Sequence, residues 1–149
     1  MPRLGDDAAA AASRGYGCRD TGDLDAAIAA FTEAIALQPD NAELWFLRGL
    51  SHHDKQEYEG AIADFSEVIR LSPTWISGYI KRGYAYLAMK DFNRALADFD
   101  ETIRLQPQFA PLFNNRGTAY EAMGDTARAK ADFAEAVRLE REWEREKRA

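Results

Sequence analysis

The chain has 149 residues, of which 46% are hydrophobic and 30% are charged, and its formal net charge is −6 at pH 7. This length allows one domain with a sizeable core. The acidic balance disfavours general binding to nucleic acid and binding to an anionic membrane surface, since either would require a dominant basic face on the protein. We therefore expect no nucleic acid and no membrane among its partners.

The cysteine content and the start of the chain indicate a cellular setting. The chain has one cysteine, Cys18, which excludes an intrachain disulfide. Residues 1–7 lack the apolar core of a secretory signal, and no run approaches the roughly 18 apolar residues of a membrane span. We expect a reducing, cytoplasmic setting.

Several residue types recur along the chain at a fixed interval of 34 residues. The series are Arg14-Gly15, Arg48-Gly49, Arg82-Gly83 and Arg116-Gly117; Ala27, Ala61, Ala95 and Ala129; Phe31, Phe65, Phe99 and Phe133; and Pro39, Pro73 and Pro107. A period of this size predicts a stack of like units, each touching only its neighbours.

The period divides the chain into four units, each of which is predicted to contain two helices. The predicted organisation is an N-terminal arm at 1–7, units at 8–41, 42–75, 76–109 and 110–143, and a C-terminal helical extension at 144–149. The fourth unit has Arg141 where a proline is due, so its second helix is predicted to continue past the unit end.

The second unit shows the helix pattern best. Asp40 is the predicted N-cap of its first helix, with Glu43 as the partner in a capping box. Polar residues 54–57 predict the turn. An apolar face from Tyr58 onward then predicts the second helix, which Leu71-Ser72-Pro73 ends because the residue before proline is disfavoured in the helical region.

Glycines lie in the middle of the predicted first helices, where each costs up to about 1 kcal/mol. Gly49, Gly83 and Gly117 therefore predict the close approach of another backbone, with aromatic side chains filling the space beside them.

The arginines that precede these glycines predict ion pairs within each unit. Arg48, Arg82 and Arg116 each have an aspartate sixteen residues on, namely Asp64, Asp98 and Asp132, whereas Arg14 has Ala30. These pairs are predicted to bridge the two helices of a unit; the alternative is solvated charges that are close by chance.

The sequence gives little support for catalysis, a metal or a cofactor. His52 and His53 point about 100° apart on a helix, so they cannot share one metal ion. His52 occupies the position of Tyr86 and Tyr120, which favours a packing role. The glycines are spread along helices, so no phosphate-binding loop is expected.

These features together resemble the tetratricopeptide repeat family over about residues 8–143. The pattern runs through Trp45, Arg48-Gly49, Ala61, Phe65 and Pro73, and it is echoed in the third and fourth units. The first unit is the poorest match, since Ala11 and Cys18 replace an expected aromatic residue and tyrosine. The resemblance implies an all-α, right-handed α-solenoid of about four repeats with an extended C-terminal helix.

The resemblance also implies that the first helix of each unit lines a concave groove. The implied peptide-binding residues are Tyr16, Phe46, Leu47, Leu50, His53, Ile80, Lys81, Tyr84, Leu87, Asn114, Asn115 and Thr118. The apolar members would form a patch that ought otherwise to meet water, which is typical of an interaction site. Alternatively, some of them pack against a neighbouring first helix, or the termini cover the patch.

One subgroup of the family grips chaperone C-terminal carboxylates with a clamp of lysine, asparagine and arginine. In one alignment of the units the clamp positions hold Ala12, Tyr16, Leu47, Ser77 and Lys81; in the other they hold Phe46, Leu50, Lys81, Pro111 and Asn115. The clamp is therefore missing, and the expected ligand is an apolar or aromatic peptide or an amphipathic helix.

We thus expect a non-catalytic adaptor or assembly scaffold that binds a protein or peptide. The alternative is a self-associating structural module, a homodimer formed through the C-terminal helix or the groove. Trp143 bears on that choice: it is either part of a solvated helix end, or it docks on the last unit or on a second copy.

Overall fold

The computed structural model describes residues 4–149, and every regular element within that range is an α-helix. The eight helices of this range are α1 (Leu4–Asp20), α2 (Leu24–Leu37), α3 (Ala42–Asp54), α4 (Tyr58–Leu71), α5 (Ile76–Ala88), α6 (Phe92–Leu105), α7 (Ala110–Met123) and α8 (Thr126–Arg148). The all-α prediction is confirmed, and each predicted unit contributes one hairpin of two helices.

The chain divides into two compact units, and the division falls inside α5. We call these two the first unit and the second unit, and we call each 34-residue repeat a hairpin. The first unit ends at Lys81, and in it α1 packs on α2, α2 on α3, and α3 on α4. The second unit runs from Arg82 to Ala149, and in it α6 packs on α7 and α7 on α8. Packing between sequence neighbours is what a repeat array requires.

Two helix starts differ from the sequence expectation. The side chain of Asn41 accepts a hydrogen bond of 3.1 Å from the backbone N–H of Glu43, so Asn41, rather than Asp40, is the N-cap of α3. Both residue types cap well, and Asn41, directly before the first helical residue, has the extended backbone of an N-cap. The structure also begins α1 at Leu4, so residues 4–7 of the predicted arm form its first turn, while residues 1–3 lie outside the described range.

The turn inside each hairpin has one residue in the left-handed region. These residues are Gly22, Gln56, Lys90 and Gly124, which again lie 34 residues apart. Their φ angles are 80°, 64°, 59° and 87° respectively. Glycine adopts this conformation freely, whereas a side chain costs roughly 1–2 kcal/mol. The first and fourth hairpins therefore have less strained turns than the second and third.

The mid-helix glycines receive the rings of the phenylalanine series. A Cβ atom added to Gly49 would lie 2.7 Å from the Phe65 ring, and the corresponding distances are 2.6 Å for Gly15 and Phe31, 2.8 Å for Gly83 and Phe99, and 2.6 Å for Gly117 and Phe133. The prediction of another backbone at these glycines is therefore wrong, because the nearest atoms belong to a ring, whereas the prediction that aromatic side chains fill the space beside them is confirmed. We call each glycine and its ring a Gly–Phe socket.

Candidate functional site

The predicted arginine–aspartate pairs bridge the two helices of their hairpins. Arg48 donates to Asp64 through Nε at 2.9 Å and Nη2 at 2.7 Å. The same two-point geometry joins Arg82 to Asp98 at 2.9 and 2.7 Å, and Arg116 to Asp132 at 2.8 and 2.7 Å. The aspartate side chains are only 3–8% exposed. The bridging prediction is confirmed, and the alternative of chance neighbours is wrong.

These pairs set helix register more than they add stability. Burial raises the pKa of Asp98 above its ordinary value, although the guanidinium of Arg82 acts in the opposite direction. Removing the two charges from water therefore offsets much of their attraction, as is usual for buried ion pairs. Two-point geometry still fixes one orientation of the two helices. The first hairpin has only an exposed contact of 2.6 Å between Arg14 and Glu33.

The first unit has an aromatic pair formed by Phe46 of α3 and Trp75 of the connection between α4 and α5. The Phe46 ring lies 4.8 Å from the ring of Trp75 and 5.7 Å from that of Phe65, measured between centroids. Phe46 and Trp75 are both half-buried, and they line an open cavity together with Asp40 and Glu43. The cavity therefore combines aromatic surface with carboxylates.

Other residues predicted for binding lie around this cavity or in the core. Tyr16 is 43% exposed and donates a hydrogen bond of 3.0 Å to Glu43. Burial, with help from Glu43, raises the pKa of Tyr16, so its hydroxyl stays protonated. Leu47 is only 9% exposed and packs against Ala27 and Phe31. Most of the Leu47 side chain is thus taken up by the core.

The remaining predicted residues of the first unit are half-buried. They are Leu50, His53, Ile80 and Lys81. The His53 ring makes an edge contact of 5.5 Å with Tyr58. Burial lowers the pKa of His53, Asp54 acts against this, and Lys81 adds to the lowering. His53 is therefore neutral at pH 7, and it offers a partner a hydrogen-bonding ring without a charge.

In the second unit the predicted residues are largely engaged with one another. The Tyr84 hydroxyl donates to Oδ1 of Asn115 at 2.7 Å, and its ring lies 5.4 Å from that of Phe99. Leu87 packs against the same core cluster. Asn114 and Thr118 are exposed, and the Thr118 hydroxyl donates to the backbone oxygen of Asn114. The Oδ1 atom of Asn115 thus already accepts from Tyr84, whereas the side chain of Asn114 is exposed to a partner.

Sequence reasoning missed Trp75 as a member of the site. A signal was present, because Trp75, Phe109 and Trp143 recur at the unit ends with the same 34-residue spacing. Phe109 is 48% exposed and Trp143 is 59% exposed, and in the second unit they line an apolar groove with Pro107 and Leu139. Aromatic residues at this position thus create surface cavities in both units.

Neither a metal centre nor a membrane span is evident in the described part of the chain. Residues 4–149 contain no cluster of three potential metal ligands, and none of their helices is long and apolar enough to cross a bilayer. His52 packs as predicted: its Nδ1 lies 2.7 Å from Glu57, and its ring contacts the position of Gly60.

Helical hairpins with the same socket and the same bridging pair in successive copies define a helical repeat scaffold. The chain belongs to the tetratricopeptide repeat family, whose models match residues 14–74, 76–109 and 110–142. The resemblance seen in the sequence is therefore confirmed over most of the chain.

Solved structures with the same fold include proteins of several kinds. A crystal structure of MamA has a TM-score of 0.84 and 24% identity, covering 93% of this chain and 81% of that chain. The first TPR of Spaghetti (RPAP3), bound to the HSP90 peptide SRMEEVD, has a TM-score of 0.73 and 21% identity, covering 79% and 94%. TTC0263, a thermophilic TPR protein of Thermus thermophilus, has a TM-score of 0.73 and 22% identity, covering 89% and 74%. A comparison with curated proteins gave no match.

Proposed function

We propose that this chain is a non-catalytic adaptor or assembly scaffold that holds a protein segment against Phe46 and Trp75. Tetratricopeptide repeat proteins are generally protein-binding scaffolds, and such modules are typically non-catalytic. The observation that carries the proposal is the half-buried aromatic pair, with its 4.8 Å ring separation, in an open cavity. Aromatic rings that line an open cavity and keep part of their surface accessible are typical of interaction sites.

The charges around the cavity indicate the chemistry of the partner. Asp40 and Glu43 line it, and His53 on the same helix as Glu43 is neutral at pH 7. A carboxylate-rich ligand would meet repulsion there, so the favoured ligand is an apolar or aromatic segment with neutral or basic flanks. It would bind either extended or as an amphipathic helix.

A comparison with the peptide-bound relative supports the same choice. The first TPR of RPAP3 binds the acidic peptide SRMEEVD. This chain lacks the lysine, asparagine and arginine clamp that suits such a ligand, and it has Tyr16 and Leu47 at two of the clamp positions. We therefore propose that its ligand is not an acidic chaperone tail.

We propose a secondary role for the second unit. Asn114 and Thr118 are exposed and bear polar groups suited to the backbone of an extended segment. Tyr84 and Leu87 are half-buried against the core. The polar groups of Asn114 and Thr118 would hold the backbone of a segment that lies against the second unit.

The test is direct binding of peptides that have been selected by display on the wild-type chain. We expect Phe46→Ala and Trp75→Ala to weaken the selected peptides at least about tenfold in calorimetry, a loss of about 1.4 kcal/mol or more. Phe109→Ala is the matched control, because it removes an exposed aromatic ring elsewhere. Equal binding by Phe46→Ala and by the control, with both chains folded, would contradict the proposal.

The second candidate function is a self-associating structural module. It is favoured by the apolar groove that exposed Phe109 and Trp143 line in the second unit. A homodimer through this groove would cover both rings. Light scattering tests it: loss of a wild-type dimer in Trp143→Ala would support this function, and a wild-type monomer would exclude it.

A further inference from the structure

The outer face of α8 carries apolar side chains that other hairpins bury. Phe31, Phe65 and Phe99 are 0% exposed, whereas Phe133 at the same repeat position is only half-buried. Val137, one turn further along α8, is 44% exposed. Within residues 4–149, α8 packs mainly on α7, so this face has room for another helix.

The same face is basic, although the chain as a whole is acidic. Lys130, Arg141, Arg145 and Arg148 lie on it at helical spacing, with Glu144 as a carboxylate among them. All four cations are exposed, and none of them forms an ion pair with another described residue. The face therefore favours a helix that carries carboxylates and small or apolar residues.

The chain itself shows the register in which a helix packs on this face. In the first unit α3 lies antiparallel on α2, with Leu47 against Phe31 and Leu44 against Ile35. In the second unit Ala119 of α7, the repeat equivalent of Ser51, packs on Phe99, the equivalent of Phe31. Phe133 and Val137 are the repeat equivalents of Phe31 and Ile35, so a helix on α8 would meet them through the equivalents of positions 47 and 44.

In α1 the side chains at the equivalents of positions 44 and 47 are exposed, so α1 can present them to another helix. Ala10, Ser13 and Gly17 are the equivalents of Leu44, Leu47 and Ser51. The three residues of α3 are at most 9% exposed, whereas the three residues of α1 are all exposed. A Cβ atom added to Gly17 would meet nothing within 4 Å. Small side chains along this line let a ring such as Phe133 approach closely.

Charge complementarity points to the same pairing. Continued by one helical turn, the register brings Asp6 and Asp7 of α1 beside Arg141 of α8. Both aspartates are exposed and form no ion pair within the described residues. The arginines of α1 are already engaged, since Arg14 contacts Glu33 and Arg19 contacts Asp54. The charges that α1 has free are therefore acidic.

We infer that α1 of a second copy docks antiparallel on the outer face of α8, as the first helix of a further hairpin would. The contact is heterologous, so copies add head to tail instead of closing as a two-fold pair. A two-fold pairing of α8 with α8 would bring like-charged arginine faces together. This inference goes beyond the proposed function, because it uses neither Phe46 and Trp75 nor the Trp143 groove.

The test is analytical ultracentrifugation of the 149-residue chain from micromolar to millimolar concentration. We expect the wild-type mass to grow with concentration, and less so at high salt, because salt screens exposed charges. Val137→Glu blocks the α8 side by opposing Asp6, and Ser13→Arg blocks the α1 side by opposing the basic face. Each variant alone should associate at least about tenfold more weakly than wild type.

Mixing the two variants separates a heterologous contact from other modes of association. The intact α1 of Val137→Glu should dock on the intact α8 of Ser13→Arg and give a two-chain complex. Ala131→Glu and Ala29→Arg place the same charges at other exposed positions and should associate like wild type. Trp143→Ala should also associate, which separates this contact from a groove dimer. A wild-type monomer throughout, or wild-type association by Ser13→Arg, would overturn the inference, whatever the peptide assay shows.

Discussion

The α1/α2 hairpin and the α3/α4 hairpin pack their two helices through the same glycine contact but through different ion pairs. Both have a Gly–Phe socket, formed by Gly15 with Phe31 and by Gly49 with Phe65. The α3/α4 hairpin adds the buried pair of Arg48 with Asp64, whereas the α1/α2 hairpin has only the exposed contact between Arg14 and Glu33.

The comparison distinguishes the feature that sets the packing distance of the two helices from the feature that fixes their register. The socket is present in both, so it is the feature that brings the two helices to their packing distance. The buried pair can be replaced by a surface contact, so its role is to fix register in a hairpin that also lines the aromatic cavity. Four predictions test this division, in order of expected effect.

The largest effect should come from filling a socket. Gly49→Ala puts a Cβ atom 2.7 Å from the fully buried ring of Phe65, and overpacking of this kind costs on the order of 1–3 kcal/mol. Gly17→Ala is the control, because its site is open and the helix gains about 0.5–1 kcal/mol when glycine is removed. Urea denaturation should give opposite signs for the two changes, and equal effects would refute the role of the socket.

The second effect concerns coupling across the α3/α4 hairpin. A double-mutant cycle on Arg48 and Asp64 should give a coupling energy of about 1–2 kcal/mol, because removing either partner leaves the other poorly solvated. The double variant should lose less stability than the sum of the single variants. Additive losses would mean that the pair does not hold the two helices in register.

The third effect concerns the turns. Here the α1/α2 hairpin has the less strained arrangement, whereas the α3/α4 hairpin has the stronger ion pair. Gln56 has a left-handed φ of 64°, and glycine occupies the equivalent position 22. Gln56→Gly should raise the free energy of unfolding by about 0.5–1 kcal/mol, since relief of strain exceeds the entropic cost of glycine. Gly22→Gln should lower it, and thermal melts in which the two changes have the same sign would contradict this account of the turns.

The smallest effect should appear in the α1/α2 hairpin. Arg14 and Glu33 are 54% and 57% exposed, so solvent screens their attraction. The same double-mutant cycle applied to this pair should give a coupling of at most about 0.5 kcal/mol. A coupling as large as that of Arg48 with Asp64 would erase the distinction between the two hairpins.

Periodic positions made most of the fold predictable. The sequence alone indicated the hairpins, the sockets and the bridging pairs, because each depends on residues at fixed spacing within one unit. The N-cap was misplaced by one residue, since Asp40 and Asn41 are adjacent and both suit the role.

The site was less predictable because it depends on contacts between neighbouring hairpins. Helical spacing put Leu47 on the face of Phe46, but α2 covers it, which only the packing of α2 on α3 reveals. The hydrogen bond from Tyr84 to Asn115 joins residues 31 apart and occupies the side-chain oxygen of Asn115, which the periodic pattern does not reveal. Trp75 lies in the connection between α4 and α5, where helical spacing does not indicate which way a side chain faces.

The central claim is that the aromatic pair of the first unit receives the ligand, and NMR mapping of a display-selected peptide tests it most directly. We expect the largest amide and side-chain shift changes on peptide addition at Phe46 and Trp75 and at Asp40 and Glu43 of the same cavity. Changes that centre on Phe109 and Trp143, with residues 40–75 unmoved, would contradict it.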